Sequence, residues 1–174
     1  VTKQAFADAP ALYVPEGILM SWEEILAYAR SCAEEGCKFF CLDYLQLATA
    51  GTEAAIYEST QRVVTELRRF CMETESTVLM LSQWNRTGST SENPPVAQNL
   101  HGGMVVEASS DLVLGLDHTT VRREGSKGYF KLLTLKNRHG ELIQGGIPLE
   151  IDFSTLRVSE VDPDFDPWGS NGRR

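Results

Sequence analysis

Two short apolar runs constrain this chain more than any other feature: "KFFCLD" at 38–43 and "TVLMLSQ" at 77–83. Each is continuous rather than alternating, and each ends on polar residues. A short unbroken apolar run reads as a strand buried on both faces of a parallel sheet. Each run also follows a stretch with helical spacing. In 20–36, Ser21 and Glu24 form a capping-box pair, and Met20 and Ile25 fit a hydrophobic staple. Trp22, Ile25, Leu26 and Ala29 then share one face, and Gly36 supplies the stop. In 57–76, Val63, Leu67, Phe70 and Cys71 make the apolar stripe, with Glu58 and Arg62 as an i,i+4 pair on the wet face. The order helix–strand–helix–strand implies right-handed parallel crossovers.

The second half reads differently. After loop chemistry at 86–95 come strand-like runs at 110–118, 129–140 and 146–158, with a hairpin turn within 121–128. These are expected as antiparallel strands added to the edge of the same sheet. The expected fold class is therefore α/β: a parallel sheet flanked by helices, with antiparallel C-terminal strands. Residues 1–158 form this one domain. Residues 159–174, acidic and rich in proline and glycine, are expected to be a flexible tail or a docking segment.

A net charge of −8 argues against a generally basic nucleic-acid coat, though it leaves room for a small basic channel or loop. No apolar stretch approaches the ~20 residues that span a bilayer, and the N-terminus has no signal-peptide pattern. It has no initiator methionine either, so a fragment of a longer chain is expected. The four cysteines, Cys32, Cys37, Cys41 and Cys71, match no common zinc spacing and read as free thiols in a reducing cytosol.

In open α/β sheets, ligands bind beyond the carboxyl ends of the strands. Asp43 and Gln83 stand at two such ends. An aspartate there suits a hydrated Mg²⁺, and a glutamine suits a γ-phosphate or an attacking water. Taken singly, each is more often a cap or a loop residue. The ordered set "LDYLQL" (42–47), "LSQWNR" (81–86) and "LKNRHG" (135–140), each at the end of an expected strand, is more specific. It resembles the DnaB-like replicative helicase family, whose ATPase domain has a RecA-like core. The resemblance runs from about Leu12 to Val158.

That resemblance implies residue roles. Asp43 matches the Walker B aspartate that acts on the magnesium ion. Gln83 matches the glutamine that senses γ-phosphate and links it to the DNA-binding loops. Lys136 and Arg138 match a basic pair that reaches into the neighbouring subunit's ATP site. An arginine there offers a rigid fork of donors to charge developing on the transferred phosphoryl. Without the other motifs, the pair would read as two solvated charges at a strand end. The implied cofactors are ATP and Mg²⁺, and the implied assembly is a homo-oligomeric, hexameric ring around single-stranded DNA. The implied setting is the cytoplasm of a bacterium or phage-infected cell, with a phage or plasmid origin in view.

The family's DNA-contacting loops correspond to about 48–56 and 86–103. The first has no basic residue. The second departs from the family: "NLHGGM" (99–104) stands where a basic residue and a Ser-Gly pair are usual. Arg86, His101 and the backbone amides of Gly102 and Gly103 are the candidate nucleic-acid contacts. Trp84 suits either base stacking or packing against a neighbouring helix or subunit. Arg122, Arg123 and Lys127 form a basic hairpin tip that reads as an exposed turn.

A complete nucleotide site also needs Gly-x-x-x-x-Gly-Lys-Ser/Thr. None of the five lysines stands in such a loop, and "GSKG" at 125–128 has the wrong spacing. The family's catalytic glutamate has no counterpart upstream of residue 12. The chain is thus expected to be the C-terminal portion of a RecA-like ATPase domain, a partial domain awaiting an N-terminal P-loop segment and inactive alone. Two other readings stand beside it: a non-catalytic RecA-fold interaction module that has lost ATP binding, and half of a RecA/RadA-like recombinase.

Overall fold

The computed structural model describes residues 21–47, 53–84, 96–97, 100 and 103–169. The chain begins there with helix α1 (Trp22–Glu34). Ser21 is its N-cap: the Ser21 hydroxyl accepts from the Glu24 N–H, and the Ser21 N–H donates to the Glu24 carboxylate at 2.7 Å. The partner of the expected staple, Met20, lies outside the described residues. At the other end, Cys37 N–H donates to Cys32 O and Gly36 N–H to Ala33 O, the two bonds of a Schellman motif. Gly36 adopts φ +96°, a left-handed conformation that glycine accepts without a Cβ clash.

Strand β1 (Phe39–Leu42), a 3₁₀ turn (Leu45–Leu47), helix α2 (Glu53–Thr74) and strand β2 (Thr77–Met80) follow. β1 and β2 pair in parallel, from Phe39 opposite Thr77 to Leu42 opposite Met80, so α2 is the crossover. The wet-face pairing of α2 differs from expectation. Arg62 turns away from Glu58 to Glu66 and, across the helix boundary, to Glu23 of α1. Glu66 also accepts from the Trp22 indole. Tertiary packing thus chose the partner that local spacing left open.

The expectation of strands buried on both faces holds for one face only. Phe40, Leu42, Val78 and Met80 alternate inward and are half-buried. Phe40 meets Phe70 of α2 edge-on at 5.0 Å. Phe39, Cys41, Leu79 and Leu81 point the other way, with Phe39 60% and Leu79 49% exposed. Among the described residues, no helix covers that face.

The second half begins with a short helix, α3 (Gly103–Ser109), and continues with β3 (Leu112–Glu124), β4 (Lys127–Asn137), β5 (Ile147–Asp152) and β6 (Arg157–Glu160). These four strands form an antiparallel meander in sequence order. They do not extend the β1–β2 pair, as expected from the sequence, but make a sheet of their own. The two sheets meet through one core of Trp22, Leu45, Val63, Val64, Ala97, Leu100, Val106 and Val113, with Met80, Trp84 and Leu135 packed against it. The β3–β4 hairpin turns through Gly125 and Ser126, with Gly125 at φ +59°. Its basic tip is engaged: Arg123 lies 4.7 Å above the Phe153 ring, and Lys127 pairs with Glu150 at 2.8 Å.

The segment expected as a flexible tail touches the second sheet at Val161, Phe165 and Trp168. Val161 is buried, Phe165 lies 5.4 Å from the Tyr129 ring, and Lys131 sits 5.0 Å from the Trp168 ring. Cys32, Cys37, Cys41 and Cys71 are free thiols, and burial raises the Cys71 pKa above the ordinary thiol value. No described helix is long and apolar enough to cross a membrane.

Candidate functional site

Parallel pairing determines what shares an edge. Because Leu42 stands opposite Met80, both chains leave the sheet at the same carboxyl end. The exits remain tied: Leu81 N–H donates to Leu42 O at 3.0 Å, and Leu45 N–H to Leu81 O at 2.9 Å. Asp43 and Gln83 are both exposed on these exits. No described residue holds the Asp43 carboxylate. Between them, Gln46 Nε2 donates to Ser82 Oγ at 3.1 Å, linking the turn after β1 to the segment after β2. Among the described residues, Gln46 Oε1 is buried without a partner.

This edge fits a hydrated divalent cation beside a phosphate. Among the described residues, no cluster of three or more His, Cys, Asp or Glu side chains exists to cage a metal. Magnesium bound with nucleotide asks for little protein: one or two carboxylates, water and phosphate oxygens. Asp43 is the exposed carboxylate at this edge that could serve such an ion.

Lys136 and Arg138 stand elsewhere, at the end of β4. Lys136 Nζ donates to Glu107 O and, at 3.4 Å, to Ala108 O of α3. The Arg138 guanidinium donates to Asp111 Oδ1 at 2.5 Å and to Ala108 O at 3.2 Å. Its main-chain N–H donates to Asp111 O at 2.8 Å. The two cations are therefore close together and oriented, not waving at a strand end. Reading the sequence by spacing alone missed Asp111 and α3 as their supports. Ser110 and Asp111 stand at the start of the run expected as a strand, which hides them as a helix stop.

The nucleic-acid candidates divide. Arg86, His101 and Gly102 lie outside the described residues. Gly103 is buried, and its N–H already donates to Leu100 O at 2.8 Å, so that amide is committed within the chain. Trp84 forms an isolated antiparallel bridge with Leu100 and packs on the core, which takes it away from base stacking.

A parallel βαβ unit with an acid and an amide at its carboxyl edge, followed by antiparallel strands, is an α/β domain with a ligand-binding edge, and the match to a family with a RecA-like fold gives its class. The profile of the DnaB-like helicase C terminal domain matches residues 2–156, nearly the whole chain. The chain belongs to that family. No curated protein sequence matches it.

Proposed function

We propose that this chain is the C-terminal portion of an ATP-dependent, ring-forming replicative DNA helicase domain. In this reading it supplies Asp43 for the magnesium ion, Gln83 as γ-phosphate sensor, and Lys136 and Arg138 as cations acting on a neighbouring subunit's nucleotide. The observation that supports it best is the common edge: parallel register brings Asp43 and Gln83 to the same end of one βαβ unit.

Asp43 would hold the magnesium ion through water, and the ion would supply neutralisation of the phosphates' charge. Gln83, on the segment that follows β2, would bond the terminal phosphate or the attacking water. Arg138 and Lys136 meet negative charge that develops on the transferred phosphoryl, and an arginine acting in trans contributes on the order of 10³–10⁵ in rate. Arg86, His101 and the Gly102 amide remain the contacts proposed for single-stranded DNA. The phosphate cradle comes from a P-loop-bearing segment. The open β1–β2 face supports this assignment, since Phe39, Cys41, Leu79 and Leu81 offer an apolar surface of the kind a covering helix buries.

The test is hydrolysis by the ring assembled with its P-loop segment. Arg138→Ala is expected to lower turnover by on the order of 10³-fold while nucleotide affinity stays within a few-fold. Asp43→Asn is expected to shift the magnesium titration to higher concentration. Equal losses of binding and turnover in Arg138→Ala would show that it is no finger. An unchanged magnesium titration in Asp43→Asn would remove Asp43 from the metal site.

A further inference from the structure

The direction in which a side chain leaves the main chain is set by φ and ψ at its Cα, the two soft rotations between its flanking peptide units. At Arg138 the N–H groups of both units are held. The Arg138 N–H donates to Asp111 O at 2.8 Å, one step beyond the last β3–β4 pair, Leu112 opposite Asn137. The next N–H, that of His139, donates to Asn137 Oδ1 at 3.2 Å. The same amide reaches further forward, because Asn137 Nδ2 donates to Glu141 O at 3.2 Å. One side chain thus closes a turn over residues 137–141, and Arg138 stands inside it.

Gly140 shows how closely that turn wraps. A Cβ there would lie 2.9 Å from Asn137 Nδ2 and 3.6 Å from its Cγ, so a larger residue would press on the amide. The chemistry of the amide matters as well. At other turns of the described chain the same bond to the N–H two residues on is made by an aspartate. Asp152 accepts from Ser154 at 2.8 Å, Asp162 from Asp164 at 2.9 Å, and Asp166 from Trp168 at 2.9 Å. An ionised carboxylate accepts and cannot donate, whereas an amide does both. The second bond, to Glu141 O, therefore requires the amide. A carboxylate at 137 would also set another negative charge beside Arg138, which Asp111 already pairs.

We propose that Asn137 is a positioning residue for Arg138: its amide fixes the main chain beyond the arginine, so that the guanidinium leaves the end of β4 in one direction. This rests on the reading of Arg138 as a trans-acting cation. The Arg138–Asp111 ion pair is exposed, and exposed pairs hold weakly. A guanidinium that turns to a phosphoryl group gives up that carboxylate. The bonds at the Arg138 and His139 N–H groups do not depend on where the guanidinium points, so the root of the side chain stays fixed while its head exchanges partners. Freedom lost in advance of reaction is what a positioned group contributes to rate. Both Asn137 bonds are exposed, so water replaces them with little effect on global stability.

The experiment measures ATP hydrolysis by the ring assembled with its P-loop segment, together with the thermal midpoint of each variant. Asn137→Ala removes both bonds. It is expected to lower kcat on the order of tenfold, less than the ~10²-fold cost of misplacing a reacting group by about 1 Å, with KM and thermal midpoint little changed. Asn137→Ser, which keeps an oxygen acceptor for the His139 N–H, is expected to recover part of kcat. Gly140→Ala presses on the same amide from outside and is expected to lower kcat too; it carries the test should Asn137→Ala fail to assemble. Asp152→Ala opens a turn of the same kind away from the cations and is expected to leave kcat unchanged. The decisive comparison is the double variant. Two residues that act through one group are not additive, so Asn137→Ala is expected to cost nothing further in an Arg138→Ala background. A loss that persists undiminished in that background overturns the inference, because Asn137 then acts elsewhere. Unchanged kcat in Asn137→Ala and Gly140→Ala, with turnover lost in Arg138→Ala, overturns it as well and leaves the trans-cation reading standing. Equal losses in Asn137→Ala and Asp152→Ala also overturn it, by showing general loosening of the sheet. A fully active Arg138→Ala ring sinks the trans-cation reading and the inference together.

Discussion

Gly115 sits where β3 passes beneath the core. A Cβ there would lie 2.9 Å from both Leu135 Cδ1 and Trp84 Cζ2, and 3.1 Å from Trp84 Cη2. Leu135 can rotate, but the indole is rigid and anchored through the Leu100 bridge. Gly115→Ala is therefore expected to destabilise the chain by about 1–3 kcal/mol, the usual cost of overpacking. Urea unfolding monitored by tryptophan fluorescence measures it, and an unchanged midpoint would show that the indole yields. Thr60 offers the opposite case. It is fully buried on α2, and its Oγ1 has no partner among the described residues. Thr60→Val replaces an unsatisfied hydroxyl with a methyl of similar shape, so about 1 kcal/mol of added stability is expected in the same assay. A loss of stability would mean the hydroxyl has a partner in solution.

The elements differ in how far the sequence announces them. α1 was legible at both ends, because Ser21, Glu24 and Gly36 act locally and need no tertiary partner. α3 was not. Seven residues are too few to show a helical period, and it is held by Lys136, Arg138 and Arg68, which are remote in sequence. Continuous apolar runs located β1 and β2, but such runs record a preference for two-sided burial without saying what covers the second side. The site divides in the same way. Asp43 and Gln83 follow from strand ends, whereas Asp111 emerges only once β4 folds against α3. The α1 cap also has a pH consequence. The Ser21 N–H, and then its hydroxyl, hold the Glu24 carboxyl below the ordinary glutamate range. A folded-state pKa below the unfolded one gives stability that is complete above the unfolded value and is lost as pH falls through the folded one. The thermal midpoint should therefore fall as pH drops below about 5, and Glu24→Gln should flatten part of that slope. A Glu24→Gln slope identical to the parent's would mean that the capping carboxylate adds no acid dependence.

At the scale of the whole molecule, the described residues form two sheets around a shared core, and each sheet keeps an apolar face open. The α1/α2 side of β1–β2 is packed, and the other side presents Phe39, Cys41, Leu79 and Leu81. On β3, Leu112, Leu114 and Leu116 are likewise exposed, alternating with the buried Val113, Gly115 and Asp117. Aliphatic and aromatic surface of this kind marks an interaction site or an aggregation hazard. If a P-loop segment is the missing cover, three outcomes should move together. The chain alone should bind ATP no tighter than the millimolar range, because no lysine sits in a phosphate cradle. It should also bind a hydrophobic dye such as ANS. Supplying the P-loop segment should reduce dye binding and raise the thermal midpoint. Phe39→Ser with Leu79→Ser, both on the open face, should lower dye binding by the isolated chain with little loss of its own stability, and should weaken capture of the P-loop segment by at least tenfold, given roughly 1.5–3 kcal/mol for each buried large apolar side chain. If the double variant instead unfolds the isolated chain, those two side chains belong to its own core and the face is not a docking surface. If it folds and captures the segment as well as the parent does, the P-loop covers some other part of the molecule.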